Sequence, residues 1–99
     1  MTLGLAAFEA AAPKLQTVEP DAGKTGDTAA AKGENLGKTV VGELYFTDGK
    51  KDIKLAITGQ SDTEIKFVVP KTLSGRYRLM TLSANKSSMV EQPVMFTIE

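Results

Sequence analysis

Acidic side chains are the first candidates for chemistry in this sequence. Asp48 and Asp52 flank a Gly-Lys-Lys turn, and Asp21 and Asp27 bracket a loop that contains Lys24. Calcium takes about six or more oxygen ligands, and lysine charge inside these loops opposes a cation. A glycosidase needs two carboxylates that face each other across a cleft, which small sandwiches rarely have. We therefore expect solvated loop carboxylates, with no metal, no cofactor and no catalytic residue.

The residue types most used in catalysis at neutral pH are missing. The 99 residues include no His and no Cys, which excludes Ser–His–Asp and Cys–His arrangements, disulfides and thiolate zinc sites. Lys plus Arg number 12 and Asp plus Glu number 12, so the net charge is zero. The cationic footprint of a nucleic-acid-binding protein is therefore missing too. These absences favour a protein that is not an enzyme.

Basic side chains form a second candidate surface. The residues concerned are Lys50, Lys51, Lys54, Lys66, Arg76 and Arg78. The strand pattern places Glu43, Asp52 and Glu64 among them, so the surface potential is mixed. We expect a solubilising face here and no nucleic-acid partner.

Alternating apolar and polar residues predict short strands and no convincing helix. The predicted strands are Leu15–Pro20, Thr28–Lys32, Gly42–Thr47, Lys51–Thr58, Glu64–Pro70, Arg76–Ala84 and Val94–Ile98. Turn sequences separate them, of which Asp48-Gly49 is the strongest hairpin signal. The spacing predicts an all-β sandwich of about seven strands.

The same alternation predicts which side chains face the core. They are Ala29, Ala31, Leu44, Phe46, Ile53, Leu55, Ile57, Ile65, Phe67, Val69, Tyr77, Leu79, Thr81, Val94, Phe96 and Ile98. Leu36 lies between two glycines and is predicted to be an apolar plug outside the strands.

The first residues differ in character from the rest. Residues 1–13 are Ala-rich and apolar apart from Glu9, and too short to span a bilayer, which needs about 20 apolar residues. We interpret them as a lead-in, a linker or the remnant of a secretory signal. The folded domain is predicted to cover residues 14–99.

The order of several short motifs resembles the IPT/TIG domain. The motifs, spread between Lys14 and Glu99, are Pro20-Asp21-Ala22-Gly23, Gly26, Gly33-Glu34-Asn35-Leu36-Gly37, Glu43-Leu44-Tyr45-Phe46, Glu64 to Val69-Pro70 and Gly75-Arg76-Tyr77-Arg78-Leu79. Two features depart from the family pattern: the second strand carries alanines, and Ser87-Ser88 lacks a glycine before the last strand. The resemblance implies an immunoglobulin-like sandwich of the E-set type, as in plexins and transcription factors, here a bacterial-type exported member.

Four apolar residues are predicted to point away from the core on one sheet face. Tyr45, Met80, Leu82 and Met95 are expected to form an exposed patch centred on Met80, because their strands are neighbours in immunoglobulin-like folds. Exposed patches of this kind are often contact sites, so we predict a protein-contact patch.

The sequence is compatible with three functions. The leading hypothesis is a non-catalytic interaction or spacer module of an exported, periplasmic or cell-surface protein, with a neighbouring domain, another chain or a weakly bound second copy as partner. The alternatives are an accessory, sugar-contacting domain of a carbohydrate-active enzyme and a dimerisation domain of a regulator. No membrane insertion is expected.

Overall fold

The computed structural model describes residues 12–72 and 74–99, which form two β-sheets packed face to face. Of the predicted lead-in, residues 1–11 lie outside the described residues. The strands of the described residues are β1 Lys14–Glu19, β2 Ala22–Gly23, β3 Thr28–Glu34, β4 Val41–Thr47, β5 Asp52–Lys54, β6 Ala56–Gln60, β7 Glu64–Val68, β8 Gly75–Ser83 and β9 Met89–Ile98.

The first sheet has the order β1-β3-β7-β6 and the second the order β2-β9-β8-β4-β5. Every neighbouring pair is antiparallel except β2 and β9, which are parallel. The chain leaves the first sheet after β1, passes the cis peptide Glu19–Pro20 and joins the second sheet at β2. The all-β sandwich predicted from the sequence is thereby confirmed.

The core is organised around the ring of Phe46 on β4. Phe46 stacks on Tyr77 and on Phe96, with ring centroids 5.6 and 5.3 Å apart, and meets Phe67 of the first sheet edge-to-face at 5.6 Å. Offset and edge-to-face contacts are the favoured aromatic geometries. One ring therefore joins three strands of the second sheet to the opposite sheet.

The predicted inward positions are buried or packed on the core. Sixteen residues were predicted to face inward, and of these only Ile53 and Ile57 keep partial exposure. Leu36 is buried as predicted, and its carbonyl accepts a hydrogen bond from Gln60 Nε2 at 2.8 Å. The small side chains of β3 also have a steric reason at Gly33: a Cβ on this residue would lie 1.9 Å from the Lys14 carbonyl oxygen. The β1–β3 pair can therefore close only over a glycine.

Two strand predictions were wrong in extent. The strand predicted at Lys51–Thr58 is two strands: β5 pairs with β4 in the second sheet and β6 with β7 in the first. The chain changes sheet at Leu55. The side chain of Leu55 is buried, so the inward alternation of Ile53, Leu55 and Ile57 continues through the change, and its N–H donates to the Leu44 carbonyl at 2.8 Å. β6 then runs through Gln60, so the turn predicted at Gly59–Asp62 begins later.

The last strand begins at Met89 and not at Val94, because a large bulge carries it past Pro93. Opposite β8, Met95 pairs with Arg78 and Glu91 with Met80, so three β9 residues face one β8 residue. Proline lacks the N–H that a regular ladder needs, and a bulge accommodates it.

The side chain of Gln92 points to the interior in phase with Val94, Phe96 and Ile98, and its amide joins the two sheets. Its Oε1 accepts the Leu15 N–H at 3.0 Å, and its Nε2 donates to the Pro13 carbonyl at 3.3 Å and to Thr81 Oγ1 at 3.1 Å. A buried amide with all these partners is stabilising, whereas the partners left alone would each be costly. We call this contact the Gln92 clamp.

The clamp gives a stability prediction. Gln92→Leu should lower the free energy of unfolding by about 2–3 kcal/mol, since it strands a buried N–H and carbonyl. Gln92→Glu keeps the shape, but its buried carboxyl resists ionisation and takes a raised pKa. Its deficit against wild type should therefore be largest at pH 7 and shrink below about pH 4, where the carboxyl is protonated in the folded and unfolded states alike.

Urea denaturation of the wild type and both variants at pH 7 and pH 4 measures this. Gln92→Leu is the matched control, because its deficit has no titrating group behind it. A Gln92→Glu protein as stable as wild type at pH 7, or a deficit independent of pH, would show that the amide is not a closed, buried clamp.

Candidate contact surface

The four residues predicted as a contact patch lie together on the outer face of the second sheet. Met80 of β8 is the cross-strand partner of Tyr45 on β4, and Met95 of β9 is the partner of Arg78. Leu82 pairs with Glu43 and, on its other side, with Met89. We call the surface of Tyr45, Met80, Leu82 and Met95 the β4–β8–β9 face.

The expected exposure of Met80 was wrong. Its side chain points away from the Phe46 core, as predicted, but is only 5% exposed, and Tyr45, Leu82 and Met95 are half-buried. Met80 is an inner position of a row that crosses four strands, Lys54–Tyr45–Met80–Glu91. Long side chains flank it, and such chains cover apolar surface while their polar ends reach water.

Charged groups tie this cover together. Glu43 accepts a hydrogen bond from the Tyr45 hydroxyl and pairs with Lys54 Nζ at 3.1 Å. On the β9 side, Arg78 Nη1 donates to the Gln92 carbonyl at 3.3 Å, and its Nε lies 3.8 Å from Glu91. The face is therefore a polar network over a small apolar layer. That it contacts another protein stays a prediction.

The Tyr45–Glu43 pair shifts both titrations. The hydroxyl of Tyr45, followed by Lys54, lowers the pKa of Glu43, because both favour the charged carboxylate. The same carboxylate raises the pKa of Tyr45, since it accepts the phenolic proton. Glu43 is thus ionised and Tyr45 neutral throughout the physiological range.

The loop carboxylates close turns. Asp48 Oδ1 accepts the N–H groups of Lys50 and Lys51 at 2.9 and 2.8 Å, and these bonds lower the pKa of Asp48. Asp27 Oδ2 likewise accepts the Lys24 N–H at 2.9 Å. Within residues 12–72 and 74–99, no three acidic side chains gather closely enough to hold a metal ion.

The basic residues do not share one surface. Lys54 and Arg78 lie on the second sheet, whereas Lys66 lies on β7 of the first sheet. Its cross-strand partners are Ala30 of β3 and Gly59 of β6. Lys54 and Arg78 both face carboxylates. The arrangement is a mixed surface, in line with the expected solubilising role.

Two functional features escaped the sequence analysis. The first is Gln92, which follows the predicted turn and precedes Pro93. The available signal was its position two residues before Val94, in phase with the inward side chains of the last strand. The second is the pair Met89 and Val90, the exposed large hydrophobic residues of the described chain, at 46% and 40%. They lay in a stretch that the sequence analysis left unassigned.

No helix in the described part of the chain has the length and apolar character to cross a membrane. Neither a protein-family model nor a curated protein sequence matches the chain.

Similar folds occur in larger solved proteins. A structural genomics protein of unknown function from Bacteroides thetaiotaomicron VPI-5482 superimposes with a TM-score of 0.72 and 23% identity over 87% of this chain. Gamma-CGTase from alkalophilic Bacillus clarkii gives 0.68 and 25% over 89%. SGBP-B of the Bacteroides ovatus mixed-linkage glucan utilization locus, solved in complex with a mixed-linkage heptasaccharide, gives 0.63 and 18% over 89%.

The match spans a small part of each of these proteins. The chain covers 21% of the Bacteroides thetaiotaomicron protein, 12% of Gamma-CGTase and 23% of SGBP-B. These likenesses define the class of fold, a two-sheet β-sandwich that also occurs inside much longer chains.

The burial of Met80 changes what its substitution should do. Met80→Asp places a charge among apolar groups and should cost about 3 kcal/mol or more of unfolding free energy. Met95→Asp, half-buried on the same face, is the matched control and should cost clearly less. Urea denaturation of both compares them; a Met80→Asp protein as stable as wild type would mean that the face opens readily.

Proposed function

We propose that this chain is a non-catalytic spacer module of an exported glycan-binding or glycan-processing protein, and that it contacts neighbouring parts of its own polypeptide. The proposal rests on where the chain enters and leaves the sandwich. A module that separates its neighbours needs its two ends apart and held fixed.

The two ends of the domain lie at opposite ends of the sandwich. β1 and β9 run side by side in the same direction: the carbonyl of Pro13 meets Gln92, and further along the Asp21 carbonyl accepts the Thr97 N–H at 2.9 Å. The Glu99 N–H then bonds to the Gly23 carbonyl at 2.8 Å. The eight residues from Gln92 to Glu99 are separated by seven steps, which span roughly 23 Å at the usual rise of a strand. Ala12 and Glu99 are thus separated by the length of the sheet.

Both ends are also fixed. The Gln92 clamp holds Pro13 and Leu15, and Asn35 Nδ2 donates to the Ala12 carbonyl at 3.1 Å. At the other end, β2 pairs with Thr97 and Ile98. A segment bonded in this way transmits a fixed distance, whereas a Gly/Ser linker behaves as a random coil.

The solved proteins of similar fold support the setting. Each is several times longer than this chain, and two of the three are a CGTase and a protein bound to a glucan oligosaccharide. Together with the motif order from Pro20 to Leu79, they favour an IPT/TIG-like sandwich of the immunoglobulin-like E-set type. An exported, periplasmic or cell-surface location follows from the same proposal.

The absence of catalysis is part of the proposal. It is supported by a sequence without His or Cys and by loop carboxylates that bond to backbone N–H groups. Interaction with a separate protein through the β4–β8–β9 face, including a weak homodimer, stays a prediction.

A second candidate function is direct contact with a glycan. Sugar rings stack on exposed aromatic side chains, and Tyr45 is the described aromatic residue with partial exposure, since Phe46, Phe67, Tyr77 and Phe96 are buried. Three surface depressions of 240 to 450 Å³ have no aromatic lining. A glycan site would therefore be centred on Tyr45.

Affinity electrophoresis separates the two candidates. The spacer function predicts that the wild-type chain migrates equally in native gels with and without soluble starch or mixed-linkage β-glucan. Tyr45→Ala is the matched variant. Retention of the wild type that Tyr45→Ala abolishes would assign the second function, and retention that survives the substitution would contradict both.

A further inference from the structure

One side of β9 has a stretch of strand edge without a strand partner among the described residues. β9 pairs with β8 on one side, and on its other side β2 reaches only Thr97 and Ile98. Pro93, which has no N–H to offer, and the bulge around it interrupt the middle of this edge. The part before the bulge, Met89–Glu91, keeps a regular register with β8. Unpaired regular edges bind further strands unless something protects them.

Hydrogen-bond parity shows which backbone groups face this edge. The Ser83 N–H donates to the Ser88 carbonyl at 2.9 Å, so these two residues form a bonded pair. The register continues unbroken through the next three residues of β9, and bonded and non-bonded pairs alternate in an antiparallel ladder. The backbone of Val90 therefore bonds to β8, whereas the N–H and carbonyl groups of Met89 and Glu91 point to the free side.

This edge also carries the two exposed large hydrophobic residues of the described chain, Met89 and Val90. They lie on opposite faces of the sheet: Met89 is the cross-strand partner of the outward Leu82, and Val90 that of the buried Thr81. Val90 thus points to the core side, but β1 begins beside Gln92 and runs away from Val90. A strand added at the edge would cover both apolar side chains.

The order of these groups makes the edge complementary to itself. Two copies placed antiparallel about a two-fold axis at Val90 bring Met89 of each copy opposite Glu91 of the other. Both residues point their backbone groups outward, so each such pair can exchange both of its N–H···O=C bonds. The two Val90 side chains then meet as a non-bonded pair, the pair type in which side chains approach most closely. Further along, Pro93 ends the ladder.

Charge and area define the strength of such a contact. The chain has a net charge of zero, so two copies do not repel each other. In the antiparallel pairing, Glu91 faces the second copy's Met89 and not its own counterpart. Stable interfaces bury about 1,200 Å² or more in total, and an edge of this length buries far less. The pairing is therefore weak and depends on protein concentration.

We propose that the Met89–Glu91 edge is a self-association site, at which two copies of this chain pair antiparallel through β9 and join their second sheets. This goes beyond the spacer function, because it links separate copies of the module, whereas the spacer function concerns the two ends of one copy. The site is the edge of the sheet and is distinct from the β4–β8–β9 face.

Disulfide cross-linking of the full 99-residue chain tests the register, because the wild type has no Cys. The Cα atoms of a non-bonded antiparallel pair lie about 4.5 Å apart, within the range that a disulfide tolerates. Val90→Cys should therefore give a covalent dimer under mild oxidation. Met89→Cys is the matched control. Its two copies would lie diagonally, about 7–8 Å apart, and should cross-link about tenfold or more slowly.

A pair of charge variants tests the same register without cysteine chemistry. Met89→Lys and Met89→Glu both lose the methionine. The first places a cation opposite the second copy's Glu91, and the second places another carboxylate there. Opposite charges across strands are favourable and like charges are unfavourable, so the dimer dissociation constant should be about tenfold or more lower for Met89→Lys than for Met89→Glu. Sedimentation velocity at several protein concentrations measures this.

Three results would overturn the proposal. Equal cross-linking rates for Val90→Cys and Met89→Cys would reflect random collisions. Equal dissociation constants for the two charge variants would mean that any association does not use this register. Hydrogen exchange that shows the Met89 and Glu91 amides protected to the same extent at every protein concentration would mean that something other than a second copy occupies the edge.

Discussion

The arrangement of the two sheets on the side of β1 and β9 depends on the hydrogen bonds of the Gln92 side-chain amide. A β-sandwich has two lateral sides, and a separate sheet edge from each layer meets there. On this side β1 is the edge of the first sheet, and β9 is the edge of the second sheet before β2 joins it at Thr97 and Ile98. β1 and β9 share no ladder. The Gln92 amide presents to β1 the same donor and acceptor pair that a neighbouring peptide group would present.

The opposite side is closed by the chain itself. At Leu55 the backbone steps from β5 in the second sheet to β6 in the first, so this side needs no side-chain bridge. Between the two closures the rings around Phe46 fill the core. The chain therefore joins the two sheets on both sides, at Leu55 and at Glu19–Pro20, and on the second side the buried amide adds a link near the start of β1. That amide also fixes where the chain enters, which makes the proposed spacer geometry depend on it.

Sequence alternation predicted the direction of side chains well. The inward set from Ala29 to Ile98 was correct, because a pleat of period two leaves little choice once the core face is known. The members of the β4–β8–β9 face were correct for the same reason. Coverage was not predictable in this way: Met80 points outward, yet the long neighbours on adjacent strands bury it.

Long-range features were also beyond the sequence. The sheet change at Leu55 depends on which partner each half of the strand finds, and Lys51–Thr58 alternates without a break. The early start of β9 depends on a bulge that only the ladder with β8 defines. Gln92 itself would have been assigned to the surface by composition, since glutamine is mostly exposed.

The proposed spacer function requires that the domain hold its two ends apart at a fixed distance. The chain has no Cys, so spin labels on Ala12→Cys and Glu99→Cys report that distance directly by double electron–electron resonance. A narrow distribution is expected, with a backbone separation of about 25 Å. Adding Gln92→Leu should broaden the distribution. A wild-type separation below about 15 Å, or a distribution as broad as that of a flexible linker, would contradict it.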